Sequence, residues 1–169
     1  TKIGQNIIKT KIYPQTEQEI LDALQMLYDM DQDLSCDIEG FSLKHYDSGV
    51  GTITFCWNET EGVAFPIEYV ALGQPIDEIY GEYVPNPRLK KALRRFFERF
   101  DRKIIYHNVA FDVYVLIYQL FMDHILDQEG LLKGLEVMLK NWDCTQLITY
   151  LATNSCSGNE LSLKAQAQE

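Results

Sequence analysis

Residues 104–112, IIYHNVAFD, contain the pattern that decides the fold class. Apolar, β-prone residues lead into two polar residues, and a strongly apolar segment then continues to Ile125. A compact strand that runs directly into an apolar helix is typical of an α/β unit. We therefore predict a strand over 103–107 and a helix over 111–125.

Asp112 lies in the first turn of that predicted helix. In the simpler interpretation, Asn108 caps the helix and Asp112 complements the helix dipole. In the alternative, the Asp112 side chain points across the ends of the strands, which is the edge where sites form in α/β sheets.

A second acidic motif lies in LSCDIE, residues 34–39, a short predicted strand. Asp37 and Glu39 are two positions apart, so their side chains share one face of the strand. Two like charges side by side are costly unless a cation neutralises them or the strand end reaches solvent. The motif alone favours the solvated interpretation, and its combination with Asp112 favours a cation site.

The remaining patterns predict a mixed sheet in one domain. Thr16 and Glu19 form a capping box, and Pro66 is expected to place its strand toward the sheet edge. The predicted elements are a helix over 17–30, strands over 34–39, 51–57 and 62–67, a Pro-containing loop over 73–87, a helix that contains 88–102, and further helices over 131–139, over 143–150 and from 161 onward. This order predicts a single α/β domain over 1–169, with a mixed central sheet flanked by helices and an extended lead-in over 1–15.

The composition restricts the class of protein. The chain has 169 residues, of which 46% are hydrophobic, and a formal net charge of −10. A disordered chain is excluded, and no apolar run is long enough to cross a membrane. The acidic balance argues against non-specific duplex binding, but it does not argue against a metal-dependent nuclease, because metals would supply the positive charge there. Residues 88–103 carry eight basic and two acidic side chains, and we interpret this stripe mainly as the solvated face of a helix rather than a phosphate-binding face.

Cys36, Cys56, Cys144 and Cys156 are widely spaced and lack a zinc-binding pattern. Because each cysteine lies beside apolar residues, we expect buried reduced thiols and a cytoplasmic protein.

Taken together, the acidic motifs resemble the 3′–5′ exonuclease domain of the DEDD superfamily, especially the proofreading domain of family A DNA polymerases of bacteriophage type. D-x-E at 37–39 is followed about seventy residues later by H-N-x-x-[FY]-D at 107–112. WDCTQL at 142–147 and NELSLK at 159–164 resemble later segments of that family. The resemblance extends from about residue 16 to residue 169 and implies an RNase H-like fold.

The resemblance implies hydrolysis of 3′-terminal phosphodiesters with two Mg²⁺ or Mn²⁺ ions. By the family pattern, Asp37 would bridge both ions. Glu39 would hold the ion that activates water, and Asp112 would hold the second ion through water. These three carboxylates are therefore the candidate catalytic and metal-binding residues.

The resemblance also implies four nucleic-acid-binding positions. Asn108 and Phe111 would line the path of the 3′-terminal nucleotides, and Leu43 would pack as a wedge against the terminal base. Gly40 stands where the family often has Thr or Ser, so it loses one hydroxyl contact and leaves room for the DNA backbone. The implied partners are the 3′ end of single-stranded DNA and a polymerase domain in the same longer chain, in the cytoplasm of a bacterial host if a phage encodes it.

The fourth carboxylate of the family, in a Y-x-x-x-D or H-x-x-x-D motif, has no counterpart in the sequence. We therefore expect a C-terminally incomplete domain that hydrolyses DNA weakly or not at all. Two alternatives stay open. One is an RNase D-like exonuclease that trims RNA 3′ ends, and the other is a catalytically silent scaffold that only holds nucleic acid or a polymerase partner.

Overall fold

The computed structural model describes residues 10–68, 83–153 and 161–166. In chain order these residues form β1 (Thr10–Ile12), α1 (Glu17–Met30), β2 (Leu34–Glu39), β3 (Thr52–Asn58), β4 (Glu61–Pro66), α2 (Pro87–Arg99), β5 (Ile104–Tyr106), α3 (Val109–Phe121), α4 (Gln128–Met138), β6 (Trp142–Cys144), α5 (Thr145–Ala152) and α6 (Leu163–Gln166). The strands form one sheet in the order β1-β4-β3-β2-β5-β6. The predicted α/β class with a mixed sheet is confirmed.

The sheet changes direction at β2. This strand pairs antiparallel with β3 and parallel with β5, and β5 pairs parallel with β6. Adjacent parallel strands bring their carboxyl ends to the same edge of a sheet, where sites form in α/β folds. A functional site is therefore expected at the edge beyond β2 and β5.

Aromatic side chains fill the core between the sheet and the helices. Phe55 of β3 packs against Phe96 and Phe97 of α2, and Phe96 stacks on Phe100. All four rings are buried, and full burial of such a side chain contributes about 1.5–3 kcal/mol. This cluster fixes α2 against the sheet.

Local hydrogen bonds determine where the helices begin and end. At the start of α1, the Thr16 hydroxyl accepts the Glu19 N–H and the Glu19 carboxylate accepts the Thr16 N–H, so the predicted capping box is confirmed. Helix α3 ends at Phe121, four residues before the predicted end. The Asp127 carboxylate accepts the N–H groups of Asp123 and Gly130, which closes a turn that starts α4.

Two short strands were not predicted, and one prediction about a strand is wrong. β1 lies within the extended lead-in, and β6 precedes the helix that was predicted over 143–150. Pro66 also does not place β4 at the edge, because β1 pairs with β4 on its outer side. That pairing uses residues 61–63, and Pro66 lies at the other end of the strand, so its missing N–H is not needed there.

The predicted loop over 73–87 and the cysteines are described only in part. Residues 69–82 and Cys156 lie outside the described ranges, and Pro87 belongs to α2. Cys36 and Cys144 are buried free thiols, as predicted, whereas Cys56 is half-buried. Within the described ranges, every helix is too short or too polar to span a lipid bilayer.

Candidate active site

Two elements bring acidic residues to the edge beyond β2 and β5. Glu39 is the last residue of β2, and β5 ends at Tyr106, three residues before α3 begins. The register pairs Leu34 with Ile104 and runs both strands in the same direction. The first turn of α3, which carries Asp112, therefore starts at the edge that Glu39 has reached.

The side chains of β2 alternate strictly between buried and exposed. Cys36 and Ile38 face the core, whereas Asp37 and Glu39 share the exposed face. The predicted common face of the two acids is confirmed.

Asp112 is a buried carboxyl group, with 5% of its surface exposed. Burial, followed by the negative charge of Asp37, raises the pKa of Asp112 from 3.8 to about 7. The Glu39 charge acts in the same direction, and a hydrogen bond from the Asn108 backbone opposes both. Asp112 is far from Asp37 and Glu39 in the sequence, and in the fold it is close enough to them for their charges to raise its pKa.

The raised pKa values of two buried neighbours give further evidence for the position of Asp112. Burial raises the pKa of the Cys36 thiol on β2, and the Asp112 charge adds to that effect. Burial also raises the pKa of the Tyr106 hydroxyl on β5, with contributions from Cys36 and Asp112. Asp112 thus lies beside both strands rather than on a solvated helix surface, which favours the second of the two interpretations of this residue.

Asn108 occupies the N-cap position of α3, but its side chain makes no capping hydrogen bond. The predicted position is correct and the predicted capping bond is wrong. Asn108 is exposed, so its side chain is accessible to solvent.

Partial burial raises the pKa of Asp37, the Glu39 charge raises it further, and the nearby His107 lowers it. The two ring nitrogens of His107 lie 2.9 Å from the Thr145 hydroxyl and 3.0 Å from the Leu161 carbonyl oxygen. His107 is therefore both a hydrogen-bonded histidine and a neighbour of Asp37.

The donor set of Asp37, Glu39 and Asp112 fits a hard divalent cation. Among the residues that the structure describes, no Lys or Arg forms an ion pair with any of the three carboxylates. In the same ranges, no three His, Cys, Asp or Glu side chains form a ready-made metal cage. Mg²⁺ does not need such a cage, because it keeps several waters and binds through one or two carboxylates together with substrate phosphates.

The predicted nucleic-acid positions differ in their exposure and packing. Leu43, in the segment after β2, is 91% exposed, and Phe111 in the first turn of α3 is half-buried. Packing explains why position 40 is a glycine, because a side chain there would collide with the buried Ser48 hydroxyl. A contact between Gly40 and nucleic acid stays a prediction.

A cavity of about 230 Å³ adjoins Asp37 on the exposed face of the sheet. Its wall includes Thr54, His107 and Thr145. Sequence reasoning missed Thr54, which the β2–β3 register places opposite Asp37. It also missed Thr145, because the contact with His107 depends on the unpredicted strand β6.

No family model and no curated protein sequence matches the chain. Solved structures do match it in fold. The RNase domain of the yeast Pop2 protein is 13% identical with a TM-score of 0.61, over 96% of this chain and 76% of that chain. Brucella melitensis NrnC with bound Mg²⁺ is 17% identical with a TM-score of 0.50, over 92% of this chain and 56% of that chain. The Aedes aegypti Nibbler EXO domain is 13% identical with a TM-score of 0.51, over 95% of this chain and 66% of that chain.

At these identities the likeness is one of fold. The chain has the RNase H-like α/β fold that these exonuclease and RNase domains share. It spans little more than half the length of NrnC.

Proposed function

We propose that the chain is a metal-dependent 3′–5′ exonuclease domain of the DEDD superfamily, with Asp37, Glu39 and Asp112 as metal ligands. The observation that carries this proposal is the buried Asp112 carboxyl, whose pKa is raised first by burial and then by the charges of Asp37 and Glu39. A buried acid beside two other acids is costly, and a divalent cation removes that cost. The likeness of fold to the Nibbler EXO domain supports the same activity.

The residues have distinct tasks in this proposal. When bound, Mg²⁺ or Mn²⁺ supplies a water of lowered pKa and neutralises charge on the phosphate oxygens. Asp37 and Glu39 offer their oxygens from one strand face, and Asp112 offers its oxygens from the helix. A nearby positive charge favours the ionised carboxylate, so a bound cation would favour loss of the proton that Asp112 holds below about pH 7. His107 keeps the orientation that its contacts with Thr145 and Leu161 give it, beside Asp37.

The finer proposal concerns the substrate and the host protein. The spacing of the two acidic motifs resembles proofreading domains, so the chain is proposed to act on the 3′ end of single-stranded DNA as part of a DNA polymerase. Because the fold is similar to that of the Pop2 RNase domain, RNA is a second candidate substrate. Exposed Leu43 and half-buried Phe111 suit either polymer, because stacking and wedging read no sequence.

Metal-dependent stabilisation tests the site directly. A cation that binds only the folded chain stabilises it by about 2.7 kcal/mol at 100 times its dissociation constant. We expect Mn²⁺ to raise the thermal midpoint by several degrees, and Asp37→Ala and Asp112→Asn to abolish that rise. Asp29→Ala, which removes an exposed acid on α1, is the matched control and keeps the rise. The metal site is refuted if the unsubstituted chain shows no rise or if all variants respond equally.

Competition between two substrates tests the finer proposal. DNA and RNA single strands of one sequence, labelled at the 5′ end, are incubated with the chain and Mn²⁺. Shortening from the 3′ end of DNA in preference to RNA supports the proofreading role, and the reverse preference supports RNA trimming. If the chain binds metal but neither shortens nor binds either strand, that result contradicts a nuclease role.

A further inference from the structure

The outer face of α3 carries an aromatic cluster that the proposed catalytic chemistry does not use. The ring of His45 contacts Tyr46, Tyr114 and Tyr118 edge-on, with centroid distances of 5.4, 4.5 and 5.8 Å. Tyr114 is 44% exposed and Tyr46 is similarly exposed. Exposed rings of this kind stack nucleic-acid bases without reading their sequence.

The cluster continues from the candidate active site. Phe111, Tyr114 and Tyr118 follow one another at helical spacing along α3, so they lie on one side of the helix. His45 is two residues beyond the exposed Leu43 in the segment after β2. The rings therefore follow one side of α3 away from the turn that carries Asp112.

A basic cavity lies at the far end of this row. It has a volume of about 600 Å³ between α2 and the end of α3, and its wall carries four basic and two acidic side chains. The basic residues of the wall are Lys90, Lys91, Arg94 and Arg95, and the acidic residues are Glu68 and Glu98. The chain has a net charge of −10, so a concave surface with an excess of basic side chains differs from the rest of the molecule. Such a surface attracts the phosphate groups of a nucleic acid.

Gln119 joins the aromatic cluster to the cavity. Its side-chain amide donates to the His45 carbonyl oxygen at 3.3 Å, and its side-chain oxygen accepts from Lys90 Nζ at 2.9 Å. From Asp112 to Gln119 the helix rises about 10 Å. That length corresponds to about three stacked nucleotides.

The acidic residues of the wall are already occupied. Glu68, 1% exposed, accepts the Val50 N–H and the Tyr83 hydroxyl and lies 3.5 Å from Lys90 Nζ. Glu98 pairs with Arg94. Within the described ranges, Lys91 and Arg95 form no ion pair and are exposed, so both are available to a phosphate.

We infer that these features form a binding track for single-stranded nucleic acid upstream of the 3′ end. Bases stack on Tyr46 and Tyr114, and phosphates of the same strand then reach Lys91 and Arg95 in the basic cavity. The inference rests on the proposed function for the direction of the strand. The track itself binds without a metal, because its contacts are rings and cations of the chain.

Fluorescence anisotropy in EDTA, where no cleavage occurs, tests the track. The probes are a 12-nucleotide and a 3-nucleotide single strand, each as DNA and as RNA. We expect Tyr114→Ala to weaken binding of the 12-mer about 5- to 150-fold, the range for loss of one stacked base. Tyr114→Phe keeps the ring and is expected to keep the affinity.

The cationic end of the track has its own pair of variants. Lys91→Gln with Arg95→Gln is expected to lower the slope of log affinity against log salt by about 1.4 for the 12-mer, since each phosphate contact on a single strand contributes about 0.7. Lys133→Gln with Arg102→Gln removes the same charge from exposed positions outside the cavity wall and should leave the slope unchanged.

The outcomes separate the track from the proposed function. Loss of 12-mer affinity in the track variants, with the 3-mer unaffected by the Lys91 and Arg95 changes, supports the track on whichever polymer binds. The track is overturned if the 12-mer does not bind, if the track variants match their controls, or if the 3-mer shows the same slope change. Failure of the exonuclease proposal instead appears as a missing Mn²⁺ response, which leaves these measurements unaffected.

Discussion

Asp112 links the stability of the fold to pH. Its folded-state pKa of about 7 is above the ordinary 3.8, so between those values the folded chain holds a proton that the unfolded chain has released. Stability therefore falls as pH rises through this window. Without metal, the loss between pH 4 and pH 8 is on the order of 4 kcal/mol.

Asp112→Asn tests this linkage. We expect the free energy of unfolding of the variant in EDTA, measured by urea titration, to fall much less between pH 4 and pH 8 than that of the unsubstituted chain. The amide cannot ionise, so burial carries no penalty at high pH. Parallel pH profiles of the two proteins would contradict the assigned pKa.

Gly40 makes a second prediction at the level of one residue. Its position is crowded by Ser48, which is fully buried and whose hydroxyl lacks a hydrogen-bond partner among the described residues. Gly40→Ala is expected to cost about 1–3 kcal/mol of unfolding free energy by overpacking. Ser48→Gly should recover much of that loss in the double variant, and strictly additive changes in urea unfolding would refute the contact.

The N-terminus of α1 carries a prediction for a whole element. Thr16 and Glu19 satisfy N–H groups that the helix itself leaves unpaired. Thr16→Ala should lower the unfolding free energy by about 0.5–2 kcal/mol, whereas Thr16→Ser should stay close to the unsubstituted value. If Ser and Ala behave alike in thermal unfolding, the capping bond contributes nothing.

Elements with their own internal signals were predictable from the sequence. Helix α1 has a capping box, α2 has a long apolar face, and β2 alternates, and all three appear where expected. Strands β1 and β6 have three residues each, which is too short for a period, and they exist because a neighbouring strand accepts their hydrogen bonds. Pro66 misled the prediction for the same reason, since strand order is decided by tertiary pairing.

In the candidate site, too, some features were predictable from the sequence and others depend on tertiary structure. The shared face of Asp37 and Glu39 follows from the period of a strand, and the structure confirms it. The approach of Asp112 depends on β5 lying parallel beside β2, which the sequence indicates only through resemblance to a family. Thr54, Thr145 and the Gln119 contacts are products of register and packing, so local patterns contain no sign of them.

At the scale of the whole molecule, the net charge of −10 opposes compactness through self-repulsion. Raising the salt concentration from 10 to 150 mM shortens the screening length from about 30 to 8 Å. We expect the thermal midpoint to rise by a few degrees, because exposed ion pairs such as Arg88–Glu17 contribute only about 0–1 kcal/mol each. An equal osmolality of sucrose controls for solvent effects, and a fall of the midpoint with salt would mean that ion pairs dominate.

The buried Cys36 thiol is a chemical probe for local opening of the core. Its thiol is enclosed on the core face of β2, and its raised pKa keeps it protonated, so an alkylating reagent reaches a reactive thiolate only when the packing over that face opens. Half-buried Cys56, on the other face of the sheet, reacts without that opening. The rate at which Cys36 acquires a label therefore reports how often the core opens over β2, the strand that carries Asp37 and Glu39 on its other face.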